Sequence, residues 1–126
     1  MFEIDNQDLT IHITRGDATA ISVGADIGEE SYEFKPNDVV RFKVCAKKNY
    51  ADVVLKKDIT IAEATSTVEI TLTKEDTKIG DVINKPIDYW YEVELNPDTY
   101  PQTIIGHDKN GAKVFKLYPE GGVANE

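Results

Sequence analysis

Nucleophilic catalysis in this sequence would have to come from Cys45 acting with His12 or His107, the one cysteine and the two histidines present. A thiolate needs an imidazole within hydrogen-bond reach to take its proton. Alternation around Cys45 puts Val40, Phe42 and Val44 on one side of a strand and Cys45 on the other, beside Arg41 and Lys43. A lone cysteine so placed reads as a small packing residue. His12 falls on the polar side of its strand and His107 in a loop, both expected in solvent. No catalytic residue is assigned.

Metal chemistry is no better supplied. Asp108-Lys109-Asn110-Gly111 resembles the opening of a calcium loop, but the further acidic positions and the distal bidentate glutamate are missing, and Asn-Gly is sufficient as a tight turn. One cysteine and two histidines cannot assemble a four-ligand zinc site by themselves. The glycines stand at isolated turn positions, so no phosphate cradle is written. Glu92 and Glu94 could pass for a glycosidase pair. Two residues apart on one strand face they are only about 7 Å from each other, whereas a sugar cleft sets its acids on opposing walls. Neither cofactor nor metal is expected.

The elements that must position these residues alternate with a period of two, the signature of strands with one buried face. Leu9 to Thr14 and Thr19 to Ala25 flank an Arg15-Gly16-Asp17 turn; that tripeptide reads as a turn, not as an integrin ligand. Gly28 and Glu29-Glu30 lead into a short Tyr32 to Phe34 strand, and Lys35-Pro36-Asn37-Asp38 turns the chain into Val39 to Ala46. There Val40, Phe42, Val44 and Ala46 face inward. Ala51 to Lys57 carries Val53 and Leu55, followed by Ile59 and Ile61. Thr67 to Leu72 points Val68, Ile70 and Leu72 to the core. Thr73 and Asp76 form a weak capping pattern before one possible helical turn, Lys74 to Lys78. Ile87 to Leu95 sets Tyr89, Tyr91, Val93 and Leu95 inward and Trp90, Glu92 and Glu94 outward, and Asn96-Pro97-Asp98 ends it. Gln102 to Gly106 and Ala112 to Leu117 read as a hairpin closed by Asn110-Gly111.

Some seven to nine short strands with no long amphipathic helix predict an all-β fold, an antiparallel β-sandwich of immunoglobulin-like type. One domain is expected over 1–120, with a flexible tail over 121–126. A chain of 126 residues has room for one hydrophobic core and no second domain. Its 23 acidic and 14 basic side chains leave a net charge of −9, spread along the chain, a field that repels phosphate backbones and argues against nucleic acid. No apolar run suits a membrane span, and the start lacks the basic and apolar regions of a secretory signal. A protein that stays in the compartment where it is made is the expectation, and the lone Cys45 suits a reducing cytoplasm.

If Val39 to Ala46 pairs with Ile87 to Leu95, outward Arg41 and Lys43 face outward Glu92 and Glu94, with Trp90 among them. A tryptophan on a charged face is covered by its own chain or is a contact residue. Trp90, Arg41, Lys43 and Glu92 are accordingly the candidate partner contacts.

Five phrases, taken in order, carry a resemblance. They are Leu9-Thr10-Ile11 to Thr14-Arg15-Gly16-Asp17-Ala18 with Ile21; Asp38-Val39-Val40-Arg41-Phe42-Lys43-Val44; Val68 to Thr73-Lys74-Glu75-Asp76-Thr77; Tyr89-Trp90-Tyr91-Glu92-Val93-Glu94-Leu95; and Gln102-Thr103-Ile104-Ile105-Gly106. Over roughly residues 9 to 118 the chain resembles the N-terminal domain of phage baseplate upper proteins. That resemblance implies an immunoglobulin-like β-sandwich with a structural role in a phage or prophage tail of Gram-positive bacteria. It implies no catalytic residues, partners among other tail or baseplate proteins or copies of itself, and a place in the virion tail. Long members of the family continue into a helical or receptor-binding region, whereas this sequence ends at Glu126, so the expectation narrows to a tail-associated module. The rival expectation is a carbohydrate- or host-surface-binding sandwich using Tyr32, Tyr50, Trp90, Tyr100 and Tyr118. A glycan binder gathers its aromatics in one groove; an assembly module shows a flat patch or an open edge.

Overall fold

The computed structural model describes residues 2–5, 7–27, 30–109 and 111–120. The expectations for Gly28-Glu29, for Asn110 and for the 121–126 tail lie outside the described residues. Among the described residues eleven strands form, in chain order β1 (Phe2–Ile4), β2 (Ile11–Thr14), β3 (Thr19–Val23), β4 (Ala25–Ile27), β5 (Glu30–Tyr32), β6 (Val39–Cys45), β7 (Val53–Thr60), β8 (Val68–Leu72), β9 (Ile87–Leu95), β10 (Gln102–Ile105) and β11 (Lys113–Tyr118). The main sheet runs β1-β2-β11-β9-β6-β7, with β10 also on β9; β3 pairs with β8, and β4 with β5. The fold is all-β and sandwich-like. No helix of the described residues is long and apolar enough to cross a membrane.

Alternation sets the core as expected. Val40, Phe42 and Val44 of β6, Tyr91, Val93 and Leu95 of β9, and Phe115 and Leu117 of β11 meet Ile21, Val23, Val68, Ile70 and Leu72 of β3 and β8. Phe42 stands at its centre, with ring centroids 5.7 Å from Tyr91 and 6.3 Å from Phe115. Such offset aromatic contacts add to the burial of their large apolar surfaces.

Four expectations are corrected. Strands among the described residues number eleven rather than seven to nine, because β1 adds an edge and Gly24 splits Thr19 to Ile27 into β3 and β4. The sandwich is not wholly antiparallel: β11 pairs with β2 in parallel, Phe115 beside Ile11 and Leu117 beside Ile13. The chain visits the other layer between these two strands, so no hairpin dictates their relative direction. Gln102 to Gly106 and Ala112 to Leu117 do not form a hairpin. Both run antiparallel to β9, Gln102 to Ile105 beside Leu95 to Val93 and Lys113 to Leu117 beside Tyr91 to Ile87, so they lie end to end along one edge. The turn between them closes only its own bridge, Asp108 with Gly111, where Gly111 takes φ +101°.

The fourth correction concerns Ala46, expected inside and found exposed just past the end of β6. Beside it the register slips between Val44 and Cys45 against β7, a β-bulge at Val54 that sets Val53 opposite Cys45 and leaves Val53 exposed. Lys74 to Thr77 makes turns rather than a helix, yet the capping pattern forms: Thr73 N–H donates to Asp76 Oδ2 at 2.9 Å, and Asp76 N–H to Thr73 Oγ1 at 3.2 Å.

Two polar clasps tie the layers. Thr77 Oγ1 accepts the Gly16 N–H at 2.9 Å and donates to the Asp17 carbonyl at 2.8 Å. Gly16 holds φ +88°, a conformation costly to other residues, so the Arg15-Gly16-Asp17 turn has a structural reason for its glycine. The buried Arg15 guanidinium donates to the carbonyls of Ile79 and Gly80 and pairs with Glu120.

Candidate functional site

The outer face of the main sheet is set by pairing. β6 and β9 lie antiparallel with Arg41 opposite Glu94, Lys43 opposite Glu92 and Cys45 opposite Trp90. On the other edge of β9, Val114 stands opposite Trp90 and Lys116 opposite Asp88, while β7 sets Val53 opposite Cys45. Opposed residues of an antiparallel pair share a face. One row across the sheet is therefore apolar, running Val53, Cys45, Trp90, Val114. Charged rows flank it, Lys43 with Glu92 on one side and Lys116 with Asp88 on the other.

The four candidate contacts do meet on this face, with one change of partner. Lys43 Nζ lies 2.6 Å from Glu92 Oε1 and 3.6 Å from Glu94 Oε1. Burial would lower the Lys43 pKa, but the two carboxylates outweigh it and the net shift is upward. Arg41 does not pair with either glutamate. Its guanidinium takes both oxygens of Asp58, directly opposite on β7, at 2.8 and 3.0 Å, and reaches Asp98 at 3.1 Å. A planar fork that meets a carboxylate bidentately holds it in preference to one shared with Lys43. These pairs are worth roughly 0.2–1 kcal/mol each and mainly fix side-chain positions.

Trp90 is half-buried rather than fully covered. Cys45 beside it is 0% exposed, and burial pushes its thiol pKa up. The β6–β7 loop reaches across to β11. Tyr50, at φ +62°, reaches past β9 to accept the Lys113 N–H at 3.2 Å on its hydroxyl. Nothing in the sequence alternation announces that crossing.

Cys45 and His12 cannot form a dyad. β9 and β11 separate their strands, three strand spacings or about 14 Å. His12 is not simply solvated either: its Nδ1 lies 2.8 Å from the Tyr118 hydroxyl. His107 is exposed, as expected. Asp108 reaches the buried Lys113 ammonium at 2.9 Å. Among the described residues no group of three or more histidine, cysteine, aspartate or glutamate side chains gathers as a metal site would.

The five aromatics of the carbohydrate expectation sit on different elements. Tyr32 packs edge-on against Phe34, with centroids 5.4 Å apart, and bonds Asp38. Trp90 and Tyr118 belong to the main sheet, Tyr50 to the β6–β7 loop, and Tyr100 lies 73% exposed after β9.

No family model matches the chain, and neither the curated proteins nor the solved structures contain a match to it.

Proposed function

We propose that the chain is an immunoglobulin-like assembly module of a phage or prophage tail, binding neighbouring tail or baseplate proteins, or its own copies, through flat protein contacts and performing no catalysis. The observation that carries this reading is the row Val53, Cys45, Trp90, Val114 lying between two ion-paired rows on one sheet face. An aromatic centre with a charged rim is the anatomy of a protein interface, and tryptophan is the side chain most enriched among residues that dominate binding. The five phrases that resemble the baseplate family support it further. They fall on β2 with its turn, on β6, on β8 with its cap, on β9 and on β10, and so include the two strands at the middle of this face, β6 and β9, while β7 and β11, which supply Val53 and Val114, lie outside them.

The carbohydrate alternative draws less support, because its aromatics sit on five different elements and Tyr32 packs on Phe34 and bonds Asp38. The proposed site of action is the virion tail, after synthesis in the bacterial cytoplasm. Deleting the gene from the strain that carries it, and imaging the particles released on induction, tests the proposal. Particles with a missing or altered tail tip, restored by the wild-type gene and not by Trp90→Ala, support it. Intact tails in the deletion strain overturn it. Thermal melting of the purified Trp90→Ala chain separates a lost contact from a lost fold.

A further inference from the structure

We infer that β7 is a dimerisation edge, pairing antiparallel across a two-fold axis with β7 of a second copy in the register that sets Lys56 opposite Asp58. Dimerisation here deepens the assembly role proposed above and rests on it.

β7 is eight residues long and ends the main sheet; among the described residues β6 is its only strand partner. Such an edge offers a row of free N–H and C=O groups to another chain. Its first residues are apolar and open, Val53 50% and Val54 42% exposed. From Leu55 onward the side chains alternate strictly, with Leu55, Lys57 and Ile59 half-buried on the inner side and Lys56, Asp58 and Thr60 exposed on the outer side.

The sequence of this edge selects both the occupant and the register. A two-fold axis normal to the sheet keeps each face continuous only when residues of the same face meet. With Lys57 on the axis, Lys56 meets Asp58 twice, Leu55 meets Ile59 twice and Val54 meets Thr60 twice. Sliding by two residues one way sets Lys56 against Lys56; sliding the other way sets Asp58 against Asp58. The first alternative brings like charges together, which opposes pairing, and the second sets together two carboxylates that Arg41 already holds and gains no cross-strand ion pair. The favoured register also spans nearly the whole strand.

An inward lysine on an edge strand ordinarily keeps that edge single, because pairing would bury its charge. Here Lys57 Nζ lies 2.9 Å from Asp76 Oδ2 of its own chain, and Asp76 is fixed in turn by the Thr73 N–H. Each copy thus brings a neutralised lysine to the axis. Lys56 brings a charge suited to a partner: its cross-strand neighbour on β6 is Lys43, which is already held by Glu92.

The test is a charge swap followed by light scattering across a concentration series. Wild type is expected at twice the mass of one chain at high concentration. Lys56→Glu and Asp58→Lys are each expected to weaken the dimer at least tenfold, and mixing the two to restore it as a heterodimer. A second measurement leaves every ion pair intact: Val54→Cys mixed with Thr60→Cys is expected to form an interchain disulfide that neither variant forms alone. A wild-type monomer at every concentration overturns the edge proposal, as does a dimer indifferent to Lys56→Glu or a mixture of the two cysteine variants that does not cross-link. None of these results touches the assembly reading, which the deletion strain tests separately.

Discussion

Replacing Thr77 by valine keeps its shape and removes its hydroxyl, which isolates the clasp between the β2–β3 turn and the loop after β8. The side chain is 0% exposed, and its oxygen both accepts from Gly16 and donates to Asp17. Two hydrogen bonds at a net ~1 kcal/mol each, and the cost of leaving the Gly16 N–H short of a partner, place Thr77→Val at about 2–3 kcal/mol. Thr77→Ser keeps both bonds and loses one methyl, about 1 kcal/mol. Against a total stability of roughly 5–15 kcal/mol both effects are readable. Urea unfolding followed by tryptophan fluorescence should lower the midpoint by roughly 1–2 M for valine and by half that or less for serine, at constant slope. If serine costs as much as valine, the methyl and not the hydroxyl holds the clasp, and the reasoning fails.

Other outcomes follow from the same structure. Cys45, fully buried with its thiol pKa raised by burial, should react with a thiol reagent only at the rate of unfolding; fast labelling of native protein would contradict its placement. Asp58 is held below its ordinary value of 3.8 by the Arg41 hydrogen bonds. Asp38 and Asp76 are also lowered: burial opposes the shift, but hydrogen bonds from Lys35, Tyr32 and Asn96 to the one, and from Thr73 and Lys57 to the other, outweigh it. Depressed folded values mean that this stabilisation is complete above about pH 4 and drains as pH falls through the folded values, so an acid titration by circular dichroism should show loss below pH 4, flatter in Asp58→Asn. Phe115→Ala opens a cavity beside Phe42 in the core and should cost about 3–5 kcal/mol in urea unfolding; a loss under 1 kcal/mol would deny that Phe115 packs there.

Alternation carried most of the fold, because a sheet with one buried face writes a two-residue period into the chain. It put Arg41 and Lys43 outward on β6 and Trp90 and Glu92 outward on β9, and the pairing supposed for the central strands of a sandwich, which the structure has, brings all four onto one face. What it could not show were events that leave no period. The bulge at Val44 and Cys45 turned Val53 outward and so extended the apolar row around Trp90. The Asp108 to Gly111 turn has hairpin chemistry, yet β9 is long enough to hold β10 and β11 on one edge. The parallel pairing of β2 with β11 joins the two ends of the chain, a long-range choice that no local pattern encodes. Arg41 took Asp58 rather than the glutamates because β7 lies on its other side, which depends on sheet order.

The central claim is that this chain is a built-in part of a phage tail. Quantitative mass spectrometry of purified particles, from the strain that carries the gene, tests it most directly. The account predicts the chain at a fixed small-integer ratio to the tail proteins, unchanged by a high-salt wash. Particles that infect normally and contain none of it would contradict the account.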